Sequence, residues 1–295
     1  MQVNEPLAKW GGDWTEKKLD AFSNYVRAYL TIMKNYRHFE TIYFDGFAGC
    51  GQRTQSDEDS LVQYEINYNE SRVYKGSAER VLNIKEGLSF DHYYFIDTDE
   101  MSLTKLESRL KDLPQSEGKN LYFRKGDANH WLTALSKSMK KNGTKQRAAL
   151  VFLDPFGMQV NWESISSLTG TRTDLWILVP SGVIINRLLE RSGELKHIEK
   201  LKSFFGLSEE EIKNEFYVIN QVDTLFGVEE AVNKVLKPIE KIAYLYIKRL
   251  KTIWKYVTDS PLVLVNTKNI PIFHFVFASN NKTGFKIADY IIKNN

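Results

Sequence analysis

Apolar positions in this chain recur with two periods, and the alternation between those periods predicts the fold. Leu19, Phe22, Tyr25, Val26, Tyr29, Leu30 and Met33 fall three and four residues apart, the stripe of one buried helix face, with Asp13 placed to cap a helix beginning near Trp14. Short runs of β-branched and aromatic residues come next along the chain: Thr41-Ile-Tyr-Phe-Asp45, Asp91-His-Tyr-Tyr-Phe-Ile-Asp97, Asn120-Leu-Tyr-Phe-Arg124, Ala148-Ala-Leu-Val-Phe-Leu153 and Asp174-Leu-Trp-Ile-Leu-Val179. These are strand patterns. Helical stretches at 77–86, 100–111, 130–140 and 162–168 separate them, which predicts a parallel sheet crossed by helices. The run at 148–153 is unbroken and should be central.

Residues 183–256 change character. Leu188, Leu189, Phe204, Phe205, Ile212, Phe216, Val232, Val235, Ile242, Leu245 and Leu250 stand among lysines and glutamates in a helical pattern, too long for a plain connection. Two further strands, 261–266 and 270–278, are joined by Thr267-Lys268-Asn269 and read as an antiparallel hairpin before a closing helix at 282–292. The expected organisation is therefore residues 1–182 as N-terminal helix and core, 183–256 as an inserted helical subdomain, and 257–295 completing the core sheet.

Composition narrows the classes without choosing among them. With 295 residues, 42% of them hydrophobic and 26% charged, the chain can bury a full core. A net charge of +3 permits a polyanionic partner and does not require one. No apolar run approaches the ~20 residues of a membrane span, and the opening MQVNEPLAKW is no signal peptide, so a cytoplasmic protein with no membrane association is expected. Cys50 is the sole cysteine, and the five histidines show no paired ligand spacing, so no metal site is expected.

The residues at the strand ends carry the chemistry. After Asp45 come Gly46, Phe47, Gly49, Cys50 and Gly51, a turn in which missing Cβ atoms let a ligand lie against bare main chain. The spacing is not the Gly-x-Gly-x-x-Gly dinucleotide fingerprint. Cys50, with no basic neighbour, reads as a small packed residue. Residues 52–75 are polar and far exceed the ~2–6 residues of an ordinary βα loop, hence a lid or a surface excursion. Asp97 ends the second strand where ribose hydroxyls would be bound, with Asp99 as second candidate, although Asp99 reads rather as a helix cap. Asp127, beside Ala128, suits either an adenine amine or a cap. Asp154-Pro155-Phe156-Gly157 ends the fourth strand. Its carboxylate and the proline carbonyl can orient an exocyclic amine while Phe156 stacks on the ring; a plain Pro-Gly turn is the alternative. Trp14 and Lys17 stand one turn apart and could reach a binding cleft, although periodicity favours a packed ring and a solvated cation. Lys248, Arg249, Lys251 and Lys255 among Tyr244, Tyr246, Trp254 and Tyr256 could make a nucleic-acid surface, or a charged face over core rings. His274 reads as a core residue.

Taken together, Asp-x-Phe-Ala-Gly-Cys-Gly after the first strand, Asp97, Asp127, the Asp-Pro-Phe-Gly turn and the terminal hairpin resemble a class I S-adenosylmethionine-dependent methyltransferase. More narrowly, Trp14-x-x-Lys17, Phe44-Asp-Gly-Phe-Ala-Gly49, Lys75-Gly-Ser77, Phe152-Leu-Asp-Pro-Phe-Gly157 and Phe273-His-Phe-Val-Phe-Ala-Ser279 resemble the bacterial three-Cys-motif partner protein family (TcmP). The resemblance implies an α/β, Rossmann-like, seven-stranded, mostly parallel sheet of order 3-2-1-4-5-7-6 with the seventh strand antiparallel. It implies that Asp45, Gly46, Phe47, Gly49 and Gly51 hold the methionine end of S-adenosylmethionine, that Asp97 holds the ribose and Asp127 with Ala128 the adenine, and that Asp154, Pro155 and Phe156 face the acceptor. The acceptor so implied is a nucleobase amine in DNA or RNA. A binding or sensor subunit of a three-Cys-motif, radical-S-adenosylmethionine-like partner and a small-molecule methyltransferase are the alternatives. The Phe-Gly after the proline departs from the Pro-Tyr/Phe of DNA amino-methyltransferases and is similar to tRNA guanine-N2 dimethyltransferases.

Overall fold

The computed structural model describes residues 12–49, 76–84, 87–141, 146–224 and 227–295. Five parallel strands occur where the apolar runs predict them: β1 (Phe39–Asp45), β2 (His92–Asp97), β3 (Asn120–Lys125), β4 (Gln146–Leu153) and β5 (Thr173–Val179). The sheet runs β3-β2-β1-β4-β5 and continues to β10 (Pro271–Ser279), antiparallel to β5. Along the far edge of β10 the outermost place is shared by two short pieces, β8 (Tyr256–Val257) and β9 (Leu262–Val265). The expected strand order is therefore present, with the outermost place, that of the sixth strand, split. β4, the most apolar run, lies between β1 and β5.

Alternation along the strands sorts the side chains into two unlike faces. One face is mostly aromatic, with Tyr43, Tyr93, Phe95, Phe152, Trp176, Phe275 and Phe277 all buried. Helices α1 (Gly12–Met33), α2 (Ser77–Leu82), α3 (Glu100–Lys111) and α9 (Lys282–Lys293) cover it. The apolar stripe of α1 seats Phe22 on Phe152 at 4.2 Å between ring centres and Tyr25 against Trp176 at 5.5 Å. The other face is mostly aliphatic, built from residues such as Ile42, Val151, Ile177 and Val276, and is covered by α4 (Ala128–Lys140) and α5 (Trp162–Ser167).

Residues of 183–256, expected as an inserted subdomain, share that second face. Leu201 and Phe204 of α6 (Ile198–Phe205), Ile212 and Phe216 of α7 (Glu209–Phe216), and Ile242, Leu245 and Tyr246 of α8 (Pro238–Leu250) belong to the same buried cluster as the sheet residues. One part departs from the helical expectation. Residues 217–234 form a two-stranded antiparallel ribbon, β6 (Tyr217–Thr224) paired with β7 (Gly227–Lys234). Val218, Ile219 and Val232 are β-branched, which disfavours a helix, and all three are exposed. The basic aromatic stretch considered at 244–256 divides: Tyr244 is exposed and Lys255 Nζ lies 5.7 Å from the Tyr256 ring centre, while the others turn to the core or to acids. Tyr246 and Trp254 point inward, Lys248 pairs with Glu215 and Lys251 with Asp259, and the Arg249 guanidinium lies 4.5 Å from the Trp162 ring centre. Among the described residues no helix is long and apolar enough to cross a membrane.

Candidate active site

The carboxyl ends of β1, β2, β3 and β4 deliver their loops to one place. A cleft of about 240 Å³ is lined there by Gly46 and Phe47 after β1, Asp97, Thr98 and Asp99 after β2, Gly126, Asp127, Ala128 and Asn129 after β3, and Phe156 and Gln159 after β4. Six of these, Gly46, Phe47, Asp97, Asp127, Ala128 and Phe156, are residues singled out from sequence. This is the topological switch point, where β1 has β2 on one side and β4 on the other and the crossovers leave in opposite directions.

Main-chain bonds hold the loops to one another. Gly46 N donates to Phe152 O at 3.0 Å, Ala48 N to Ile96 O at 2.8 Å and Gly126 N to Asp97 O at 2.9 Å. Glycine is needed for this closeness. A Cβ on Gly46 would come 2.6 Å from Leu153 Cδ2, and one on Gly49 would come 2.3 Å from Asp97 Oδ2. Gly51, Cys50 and the expected lid at 52–75 lie outside the described residues, as does Lys75.

The acids divide by environment. Asp97 accepts from Gly49 N at 2.9 Å and from Asp99 N at 2.7 Å, which orients its carboxylate at the cleft wall. Asp99 caps α3, accepting from Met101 N, Ser102 N and Ser102 Oγ; the Ser102 hydroxyl is the main reason its pKa is lowered. Asp127 caps α4 through Asn129 N at 2.6 Å while its exposed carboxylate stands on the cleft rim, so the cap reading is realised. Asp45 is fully buried behind the glycine turn and does not line the cleft. It accepts from Phe47 N at 3.2 Å and Tyr43 OH at 3.1 Å, and Ser77 Oγ lies at 3.5 Å. Ser77 is the first residue of α2; Gly76 occupies the cap position. Burial pushes the Asp45 carboxyl up to about 7, with the Asp154 and Asp97 charges adding to the rise against the lowering effect of its hydrogen bonds.

Asp154 and Pro155 are buried at the end of β4, and only Phe156 of the three acceptor-side residues lines the cleft. Asp154 Oδ2 receives a hydrogen bond from Lys18 Nζ of α1 at 2.6 Å. Lys18 Nζ also lies 5.3 Å from the centre of the Trp14 ring, and that ring packs on Phe273 at 5.4 Å. Trp14 is thus packed, as its spacing suggests. The cation that reaches the loop is Lys18 and not Lys17. Sequence reasoning also passes over Asn129, which joins the third and fourth loops: its Nδ2 donates to Gln159 O at 2.8 Å and its Oδ1 accepts from Asn161 N at 2.9 Å. Phe156 N is held by Gln159 Oε1 at 3.0 Å. His274 is a core residue, bonded to Ser181 Oγ at 2.6 Å and pushed down to about 4 by burial. Among the described residues no group of three or more His, Cys, Asp or Glu side chains is placed to share a metal ion.

No family model matches this chain, and no curated protein matches it. Among solved structures, a Legionella pneumophila protein described under the family model DUF519 is similar over 92% of this chain and 99% of its own, at 15% sequence identity and a TM-score of 0.40. A Clostridium thermocellum protein provisionally described as an rRNA methylase is similar over 66% of this chain and 89% of its own, at 12% identity and a TM-score of 0.26.

Proposed function

We propose that the chain is an S-adenosylmethionine-dependent methyltransferase that N-methylates an exocyclic amine of a nucleobase in nucleic acid. The observation that carries this reading is the convergence of four separate strand-end loops on one cleft at the switch point of the sheet. The residues fit a nucleoside-bearing ligand. Asp97 presents an oriented carboxylate suited to a pair of sugar hydroxyls, Phe47 and Phe156 offer apolar rings, and the close approach of Gly49 to Asp97 is possible only without a Cβ. The cleft is smaller than the ~300–1,000 Å³ usual for drug-sized ligands.

When bound there, S-adenosylmethionine supplies a sulfonium methyl: the acceptor nitrogen's lone pair forms the N–C bond, the S–C pair returns to sulfur, and the nitrogen's surplus proton passes to water. The chain contributes placement. Phe156 would stack on the acceptor ring, and Asp154 with the Pro155 carbonyl would orient the amine and draw off positive charge as nitrogen attacks.

Calorimetric titration with S-adenosylmethionine tests the first half of the reading. The parent protein should bind, and Asp97→Ala should bind about tenfold or more weakly through loss of hydrogen bonds to a charged group. An Asp97→Ala variant with parent affinity would remove the ribose assignment. Transfer of labelled methyl to total tRNA or plasmid DNA, followed by nucleoside mass spectrometry, tests the second half. The depth of Asp154 favours one competing reading, a binding subunit of a three-Cys-motif partner without turnover of its own. Under that reading Asp154→Ala leaves ligand binding intact and no acceptor is ever methylated. Turnover on extracts freed of nucleic acid would point instead to a small molecule.

A further inference from the structure

Lys18 belongs to none of the strand-end loops, yet it reaches the one assigned to the acceptor. Its ammonium and Asp154 Oδ2 are 2.6 Å apart, the two side chains are 2% and 4% exposed, and 136 positions of sequence separate them. The placement of the lysine is over-determined. Trp14, one turn earlier on α1, stands between Lys18 and Phe273, Phe22 one turn later stacks on Phe152, and Arg80 of α2 ties the outer side of α1 through Glu16 and Asp20.

An ion pair this deep is an expensive way to pin a helix. Withdrawing both charges from water costs several kcal/mol per ion, and an apolar pair of similar volume commonly does as well or better for stability. α1 already has Phe22, Tyr25, Val26 and Tyr29 to hold it to the sheet. The charge therefore has to be accounted for by where it sits: at the end of β4, two residues before the ring that lines the cleft, and in the electrostatic reach of a second buried acid, Asp45. A carboxylate that steers an attacking amine has to be anionic and still. An ammonium bonded to it supplies both conditions.

Resting on the methyl-transfer reading, we propose that Lys18 is the positioning residue of the transfer, fixing Asp154 from the N-terminal helix as an oriented anion on the acceptor side. A fixed anion accepts hydrogen bonds and donates none. The acceptor side is thereby committed to a group that brings its own N–H, as an exocyclic amine does, and set against an unprotonated ring nitrogen or a carboxylate.

Four proteins test this: the parent, Lys18→Met, Lys18→Arg and the double variant Lys18→Met/Asp154→Leu. Each is assayed for thermal unfolding, for S-adenosylmethionine affinity by calorimetry, and for kcat and KM of labelled methyl transfer to total tRNA and to plasmid DNA. Lys18→Met should lose about a hundredfold in kcat, the scale of one removed electrostatic contact in an active site, with ligand affinity unchanged. Arginine should restore a large part of kcat. The double variant should regain the melting temperature of the parent and still transfer no methyl. A role confined to structure predicts the opposite, stability and transfer recovering together, and that result overturns the proposal, as does a Lys18→Met protein with parent kcat. Should Lys18→Met fail to fold, Lys18→Gln, which can still donate a hydrogen bond to Asp154 without a charge, takes its place, and parent kcat in that protein overturns the proposal. A parent protein that methylates neither polymer overturns the methyl-transfer reading itself, an outcome distinct from any difference among variants.

Discussion

A single methyl group at Gly49 would have nowhere to go. Its carbon would stand 2.3 Å from Asp97 Oδ2, the same oxygen that the Gly49 amide reaches at 2.9 Å. Gly49→Ala should therefore move Asp97 rather than fill a ligand void. The expected result is weaker S-adenosylmethionine binding in calorimetry with little change in melting temperature; unchanged affinity would show that Asp97 is not the ribose contact. Several residues of this kind are legible in the sequence, because an acid or glycine directly after an apolar run has few other reasons to be there. Lys18 is not. Lysine is ordinarily read as solvated, and Lys17 stands out instead, although Lys18 lies four residues after Trp14 and four before Phe22 and so shares the buried stripe. Asn129 is equally hidden, since a loop-joining amide leaves no periodic trace.

At the scale of elements, α6 ends where its sequence says it must. Gly206 adopts φ +63°, and a Cβ there would meet Trp162 Cδ1 at 2.2 Å. Trp162 is the first residue of α5 and carries Arg249 of α8 against its ring, so three helices meet at that glycine. Gly206→Ala should cost roughly 1–3 kcal/mol, combining a strained left-handed backbone with overpacking. Equilibrium urea unfolding measures it, and a loss under about 0.5 kcal/mol, the scale of an ordinary surface change, would show that the junction relaxes freely. The ribbon at 217–234 shows where helical pattern-reading fails. Val232 and Val235 fit a three-residue spacing by accident, whereas the β-branched content and Gly227, φ +120°, at the head of β7 carry the true signal. Caps are easier to read, and Asp99 and Asp127 both serve as such.

At the scale of the molecule, two buried groups set opposing responses to pH. Asp45 ionises near 3.8 when unfolded and at about 7 when folded, so its contribution is full below 3.8 and is lost as pH rises through about 7. His274 runs from 6.5 unfolded to about 4 folded, so its contribution is full above 6.5 and is lost as pH falls through about 4. Between about pH 4 and 6.5 the two slopes nearly cancel. Asp45→Asn should uncover stability that rises with pH across that window, and His274→Gln stability that falls, each by roughly 1 kcal/mol per pH unit. Denaturant titrations at half-unit steps measure both; parallel curves for parent and variants would refute the buried-acid and buried-histidine assignments. The class of sheet is legible, because five apolar runs alternate with helical stretches and a short link makes the last two strands antiparallel, whereas the strand order is implied by the family resemblance and not by the pattern.

The aromatic face of the sheet has a consequence for how the polypeptide is made. Its cover, α1, is translated well before Phe275, Phe277 and the residues of α9 that wall it in. Tyr25 touches Phe277 at 4.8 Å and bonds Asp174 at 2.6 Å, partners that do not exist while only the first half has left the ribosome. A nascent chain must therefore carry an uncovered oily stripe until β10 has been made, a standing invitation to chaperones, and this core closes only when that strand arrives.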